Sequence, residues 1–377
     1  MEAEAPRGLL RYFDEMPDPR HHNAQHRLSD MIAIAILAVI CGAEGWTDVA
    51  LFGKSKRKWL GTFLELPHGI PSHDTFGRVF ARLDPAAFER CFMNWVAAVA
   101  EFSQGRLVSV DGKTLRHAFD HANGKAALHM ISAWCGANRL VLGQLATESK
   151  ENEITAIPKL LELLDLRGAT VTIDAMGCQK KIAKQIIDQG GDYVLQVKAN
   201  QGRMAEQLRI TLDEAILLNF QDMPHDSVKT VDGDHGRIET RRLWCTSDID
   251  WLPGATRWKG LASVAVVETK REESDGKTST ERRYYLSSRP GNNAAEMLQA
   301  VRGHWGIENQ LHWSLDVSFG EDASRIRKGH AAENFSRLRR FALGLLQRES
   351  SQKVGKKAKS KRCGWDHNYL LKVLTQS

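Results

Sequence analysis

The spacing of apolar positions changes texture three times along the chain. From residue 9 to about 100 it is helical: an apolar stretch over 28–41, another over 49–63, a break at Pro67, Gly69 and Pro71, then further helix over 75–99. Ser72 or Asp74 is placed to cap the helix that carries Phe76, Val79 and Phe80. From Arg106 β-rich segments follow at 107–111, 128–135 and 139–147. A helix over 153–164, a strand over 170–174, a helix over 179–189 and a strand over 193–197 complete this part. Three strands, helix, strand, helix, strand is an α/β order, and it predicts a mixed sheet with covering helices.

The third texture begins after Lys198. A helix near 204–218 precedes alternating segments around 238–245, 258–270 and 282–287, with the turn-formers Asp232-Gly233 and Asp275-Gly276 between them. This reads as a β-rich insertion, after which the chain is helical from Ala294 to Leu346. Five segments result: 1–103, 104–198, 199–293, 294–347 and 348–377. No internal repeat appears, and the biased stretch is the basic one at 353–362.

Composition adds little until charge is placed. The chain has 377 residues, 42% hydrophobic and 26% charged, which is ordinary for a folded protein with a sizeable core. Its 52 basic against 46 acidic residues, a formal +6, suit a polyanionic partner without demanding one. The basic residues crowd the C-terminal part: Arg325, Arg327, Lys328, Arg337, Arg339 and Arg340, then Lys353, Lys356, Lys357, Lys359, Lys361 and Arg362. A solvated tail is the ordinary expectation for such a run. Six cysteines without a Cys-x-x-Cys pair point to reduced thiols in a reducing compartment. The longest apolar run, 31–43, is shorter than the roughly 20 residues a membrane helix needs. It follows acidic and proline residues rather than a basic leader, so a buried helix in a cytoplasmic protein is expected.

The chemistry-bearing residues are three carboxylates. Two apolar runs end on aspartate, Leu-Val-Ser-Val-Asp111 and Thr-Val-Thr-Ile-Asp174, 63 residues apart, which leaves room for their strands to lie side by side. An aspartate at a strand's C-terminal end, with Gly112 allowing a turn, stands where α/β sheets bind ligands. The alternatives are an ordinary turn residue for Asp111 and a helix N-cap for Asp174. On the later helix Val301, Trp305, Ile307, Leu311 and Leu315 form an apolar stripe, with His304, Glu308 and His312 at i, i+4 and i+8 beside it. Glu308 is therefore expected to border the core and point into a cleft. A histidine-based zinc site is the lower-ranked reading, because aspartates are hard oxygen ligands that favour Mg²⁺ or Mn²⁺. Lys113 and Arg116, just past Asp111, either neutralise phosphate charge or lie on the surface.

An ordered set of segments carries a resemblance. It comprises Asp18-Pro19-Arg20, His26-Arg27-Leu28-Ser29-Asp30, Gly42-Ala43-Glu44-Gly45-Trp46 and Gly69-Ile70-Pro71-Ser72-His73-Asp74-Thr75-Phe76. Further on come Val110-Asp111-Gly112-Lys113-Thr114, Asn152-Glu153-Ile154-Thr155-Ala156-Ile157-Pro158, Ile173-Asp174-Ala175-Met176-Gly177-Cys178-Gln179 and Val197-Lys198-Ala199-Asn200-Gln201. Last are His235-Gly236-Arg237-Ile238-Glu239-Thr240-Arg241, His304-Trp305-Gly306-Ile307-Glu308-Asn309 with Leu311-His312-Trp313, and Leu315-Asp316-Val317-Ser318-Phe319-Gly320-Glu321-Asp322. Over almost its whole length the chain resembles bacterial insertion-sequence transposases of the DDE type, in the group that includes the H-repeat-associated proteins.

The resemblance implies a helical transposase-associated domain over 1–103 and a ribonuclease H-like core over 104–198 and 294–347. Between these lies the β-rich insertion at 199–293, and a basic tail follows at 348–377. It implies two Mg²⁺ ions, with Mn²⁺ as substitute, held by Asp111, Asp174 and Glu308 as catalytic and metal-ligating residues. The reaction implied is cleavage and joining of double-stranded DNA between terminal inverted repeats and target, by a homodimer on DNA, in the cytoplasm and at the nucleoid rather than at a membrane. Candidate DNA contacts are Lys113, Arg116, Lys198, Arg237, Arg302, His304, His312, Arg325, Arg327 and Lys328. The 134 residues from Asp174 to Glu308 fit an insertion before the last carboxylate. The chain departs from hairpin-forming relatives, having Val301, His304 and Leu315 where they carry arginine or tyrosine before the glutamate and lysine after it. A ribonuclease H-like nuclease without strand transfer and an inactive DNA-binding remnant are the alternative functions.

Overall fold

The computed structural model describes residues 8–20, 24–99, 106–118, 127–147, 152–234 and 236–375. In chain order the helical part comprises α1 (Leu28–Ile40), α2 (Trp46–Ser55), α3 (Arg57–Leu60), α4 (His73–Arg82) and α5 (Pro85–Val99). The α/β part follows with β1 (Leu107–Thr114), β2 (His129–Cys135), β3 (Leu140–Thr147), α6 (Glu153–Glu162), β4 (Thr170–Ile173), α7 (Lys180–Asp188) and β5 (Asp192–Val197). Then come α8 (Arg203–Leu217), β6 (Asp226–Asp234), β7 (Arg237–Thr246), β8 (Ser263–Glu273) and β9 (Thr278–Ser287). The chain closes with α9 (Ala294–Gly306), a π-helical turn (Ile307–His312), α10 (Trp313–Phe319), α11 (Ala331–Arg348), α12 (Lys356–Trp365) and α13 (His367–Thr375). The protein is thus mixed α/β with a helical N-terminal region, as its periodicity predicts, and Ser72 caps α4 by accepting from the Thr75 N–H. Among the described residues no helix is long and apolar enough to cross a membrane.

The chain divides into two compact units. One is Met1–Glu101 with Gly112–Asn152 and Glu308–Ser377; the other is Phe102–Asp111 with Glu153–Ile307. This differs from the five expected segments, of which the 103/104 boundary falls outside the described residues.

In the first unit α1 is apolar all round and every residue but Ser29 is buried, as a helix without a polar face must be. Its one charge, Asp30, accepts from the Leu66 N–H at 2.9 Å. β2 and β3 pair antiparallel, and α11 is buried over most of its length. Three arginines go in with it. Arg337 Nε donates to Glu89 Oε2 at 2.8 Å, and Glu89 Oε1 accepts from the Gln144 N–H of β3. Arg340 Nη1 donates to Glu321 Oε1 at 2.7 Å, and Arg339 Nη2 reaches the Glu44 carbonyl. Burial alone would push the Glu321 carboxyl up; Arg340, Arg339 and Lys113 outweigh it and hold it at about 2, below its ordinary 4.5.

The basic C-terminal stretch is therefore not a solvated tail. Arg337, Arg339 and Arg340 are core residues, and 356–375 is helical. Cys363, Tyr369, Leu370, Val373 and Leu374 are all buried, an apolar stripe at three- and four-residue spacing that charge counting overlooks. Lys359 donates to the Leu346 and Glu349 carbonyls, and the Glu349 carboxylate accepts from the Tyr369 hydroxyl at 2.7 Å.

In the second unit the strands line up β1-β4-β5-β9-β8-β7-β6. β1, β4 and β5 are parallel, as crossovers through helices require. β9 joins β5 antiparallel and leads into the meander β9-β8-β7-β6, so the segment expected as an insertion extends the core sheet. α9 covers this sheet with Ala294, Met297, Leu298, Ala300 and Val301 packed on Val194, Leu243, Ala265 and Tyr285. Asp275-Gly276 forms the β8–β9 turn, but Asp232-Gly233 does not turn the chain. Both residues lie inside β6, paired with Glu239 and Ile238, and the hairpin closes beyond Asp234.

Glu321→Gln removes the charge that compensates a buried guanidinium, and a loss of about 3–5 kcal/mol is expected from urea unfolding at neutral pH. Because the folded-state pKa of Glu321 is depressed, its contribution is present above pH 4.5 and lost as pH falls toward 2. The acid-induced drop in urea midpoint over that window should be smaller in Glu321→Gln than in the parent.

Candidate active site

β1 and β4 pair in parallel with a constant offset, from Leu107 with Thr170 through to Val110 with Ile173. Asp111 and Asp174 are the next residues on each strand, so they share one register position at the C-terminal edge, where neighbouring parallel strands run roughly 4.8 Å apart. Asp111 does not end its strand as expected: β1 continues to Thr114, whose hydroxyl pairs with His129 Nδ1 at 2.9 Å. Nor is Asp174 a helix cap, since α7 begins at Lys180 with Gln179 before it. Asp174 Oδ1 instead accepts from the N–H groups of Met176 (3.0 Å) and Gly177 (3.4 Å), a local turn that fixes the carboxylate. The turn needs Gly177, because a Cβ there would meet Ile173 Cγ2 at 2.2 Å.

Two residues before each aspartate, on the same face by strand alternation, stand Ser109 and Thr172, both buried. They anchor the end of α9. Thr172 Oγ1 donates to Ser109 Oγ (3.1 Å), and Ser109 Oγ donates to the Gly303 carbonyl (3.2 Å). His304 Nδ1 lies 3.1 Å from Thr172 Oγ1, and a proton on that nitrogen completes the chain with each hydroxyl donating once. Burial pushes the His304 imidazole down to about 4, against the pull of Asp174, so it is neutral at physiological pH. The helix sits this close because position 303 is glycine: a Cβ there would stand 2.0 Å from Leu107 Cδ2.

Helical geometry then changes. The Ile307 N–H turns to the His304 carbonyl, and Ile307–His312 is π-helical, a rare form that concentrates at functional sites. Glu308 lies in it and is exposed rather than set toward a cleft, while Ile307, Leu311 and Leu315 are fully buried. The expected His304, Glu308, His312 face is thereby divided, since the i, i+4 spacing assumed α-helix throughout. Among the described residues no group of three or more His, Cys, Asp or Glu is gathered to hold a metal ion, for either the zinc or the carboxylate reading.

The expected DNA contacts fall into three kinds. Lys113 is buried and committed to Asp316 (2.8 Å) and Asp322, with Glu321 at 4.0 Å. His304 and His312 are not cations near neutral pH, His312 being held at about 3 by burial with Arg340 and Lys113 adding to it. Arg116, Arg237 and Arg302 are exposed but paired with Asp322, Glu239 and Asp232, and Arg327 Nε donates to the His117 carbonyl. Lys198, Arg325 and Lys328 are exposed.

Residues 102–345 match the model of the transposase DDE domain, and residues 10–96 match that of the region associated with it. The chain belongs to the DDE transposase family. It is 42% identical over 372 residues to "Putative transposase YncI" of Escherichia coli O157:H7, covering 97% of this chain and 94% of that one. It is 39% identical over 374 residues to "H repeat-associated putative transposase YhhI" of Escherichia coli strain K12, covering 98% of each. A shorter relative, "Inactive transposase YbfQ" of strain K12, is 39% identical over 75 residues, covering 20% of this chain and 89% of that one.

The mixed sheet with covering helices is accordingly the ribonuclease H-like arrangement of a DDE transposase. Ser109, Thr172 and Gly303 of this transposase are absent from the sequence-based candidates. The first two carry a signal, a hydroxyl inside an otherwise apolar strand at the same distance before each aspartate; Gly303 carries none. Gly303→Ala is expected to lift α9 from β1 and cost about 1–3 kcal/mol by overpacking, read as a lower thermal midpoint. Leu107→Ala in the same chain should recover part of the loss by removing the clashing methyl.

Proposed function

We propose that this DDE transposase cuts and rejoins DNA strands at the terminal inverted repeats of an insertion sequence, using two Mg²⁺ ions held by Asp111, Asp174 and Glu308. The observation that carries the reading is the shared register of Asp111 and Asp174 at one edge of a parallel strand pair. The donor set fits the ions: carboxylate oxygens suit hard cations, and Mn²⁺ is the expected substitute. Asp174 is oriented through Oδ1 by two backbone N–H groups, which leaves Oδ2 for a ligand. The neutral His304 beside it adds no competing positive charge. Glu308 follows the helical turn that Ser109 and Thr172 anchor, and the π-helical backbone gives it a conformation that metal binding can select.

Bound in this way, the ions would activate a water or a 3′-hydroxyl and stabilise the leaving oxygen of the scissile phosphate. The protein's own residues hold the carboxylates in register, keep the α9 end seated, and need supply no side-chain nucleophile. The partners are double-stranded element-end DNA, target DNA and a second copy of the chain, and the setting is the bacterial cytoplasm and nucleoid.

The test is a strand-transfer assay with duplex element ends, target plasmid and Mg²⁺. Joined products are expected. Cutting without joining would leave a ribonuclease H-like nuclease, and binding without cutting an inactive remnant. Asp111→Asn and Asp174→Asn should each lower cleavage at least ~100-fold, about the loss of one electrostatic contribution to the transition state, while duplex binding in EDTA is retained. Undiminished Mg²⁺-dependent cleavage by either variant would refute the ligand assignment.

A further inference from the structure

Three N-terminal segments singled out in the sequence, around Arg20, His26 and Thr75, meet within the first unit at a cavity of about 290 Å³. Its wall includes Arg20, Gln25, His26, Thr75, Arg78 and Arg82, and no acidic side chain lines it among the described residues. Arg78 and Arg82 are one turn apart on α4 and stand on the same face. Both are exposed, and neither forms an ion pair with a described residue; Arg78 Nη2 reaches only Thr75 Oγ1, at 3.3 Å. Like charges at this spacing repel, so the helix bears the pair at a cost with nothing of its own to offset it. Arg20 is satisfied differently, held in a fork by Asp18 at 2.8 and 2.7 Å, and so forms a fixed wall. His26 Nδ1 is buried without a hydrogen-bond partner. The His330 N–H donates to the Ala81 carbonyl, which brings exposed Lys328 and His330 beside the Arg82 end of α4.

We propose that this cavity seats a phosphate of duplex DNA, with the guanidiniums of Arg78 and Arg82 as forked donors and Lys328 continuing the track. Guanidinium forks match phosphate oxygens in geometry as well as charge, and contacts of this kind set the register of a protein on DNA without reading sequence. The inference rests on the reading that the chain acts on DNA, and it assigns to the helical N-terminal region a contact separate from the three carboxylates.

The test is fluorescence-anisotropy titration of the full chain with a labelled duplex in EDTA, over a series of salt concentrations. Arg78→Gln/Arg82→Gln should weaken binding and make the plot of log affinity against log salt shallower by about 1.8, for two phosphates released. Both side chains are exposed, so the thermal midpoint should not move. Gln25→Glu, which adds a carboxylate to the rim, should weaken binding as well and serves if the double variant fails to fold.

Parent-like affinity and slope in both variants would overturn the inference and leave the transposase reading standing. No duplex binding by the parent chain would overturn both. Calorimetry with inorganic phosphate separates the sources of the anion. Phosphate binding lost in the double variant, with duplex affinity unchanged, would assign the site to a free anion and refute the DNA contact.

Discussion

The aspartate edge depends on how closely one helical turn approaches one strand. α9 reaches the sheet at Gly303, where the absence of a side chain lets the helix backbone come against Leu107, and that approach brings the Gly303 carbonyl within reach of Ser109. Ser109, Thr172 and His304 then form a hydrogen-bonded chain from one parallel strand through the next to the helix. Each of these groups is buried or partly buried and would be costly unpaired, so the network holds only if the contact is close. The register of β1 with β4 puts the aspartates level, and the helix end fixes what stands over them.

The same chain spends much of its positive charge internally. Arg337, Arg339, Arg340, Lys113 and Lys359 are buried and satisfied by Glu89, Glu321, Asp316, Asp322, Glu349 and backbone carbonyls. A formal +6 therefore describes the surface poorly. The cations facing solvent without a listed acidic partner, such as Lys198, Arg325, Lys328, Arg78 and Arg82, lie elsewhere than the sequence's densest basic run. Where a protein of this composition meets a polyanion is decided by which arginines have carboxylates folded against them.

Much of the fold was legible because its core elements are strongly periodic. The apolar stretch over 28–41, the strands at 107–111 and 170–174 and the α/β order all appear in the structure within a few residues. β6 was missed because its residues, Asp226–Asp234, are polar and belong to the strand at the sheet's end, where one side needs no apolar partner. α12 and α13 were hidden by lysines whose stems and ammoniums are absorbed by neighbouring carbonyls. For the candidate site, the pairing of the two aspartate strands was readable from equal apolar runs. The environment of Glu308 was not, since a repeat of four presumes 3.6 residues per turn and the backbone there is wider.

That wider turn makes residue number, rather than residue identity, a determinant of the region. Losing one residue between 307 and 312 would let the segment relax to ordinary α-helix with its backbone hydrogen bonds intact, yet would change the phase between the flanking helices by about 100°. Ile307 and Leu311 would no longer both face the interior, and the carboxylate would travel around the helix axis with them. A homologous chain that is one residue shorter here would keep a helix of equal quality with its acidic group pointing elsewhere, which makes the length of this stretch a readable mark of competence across relatives.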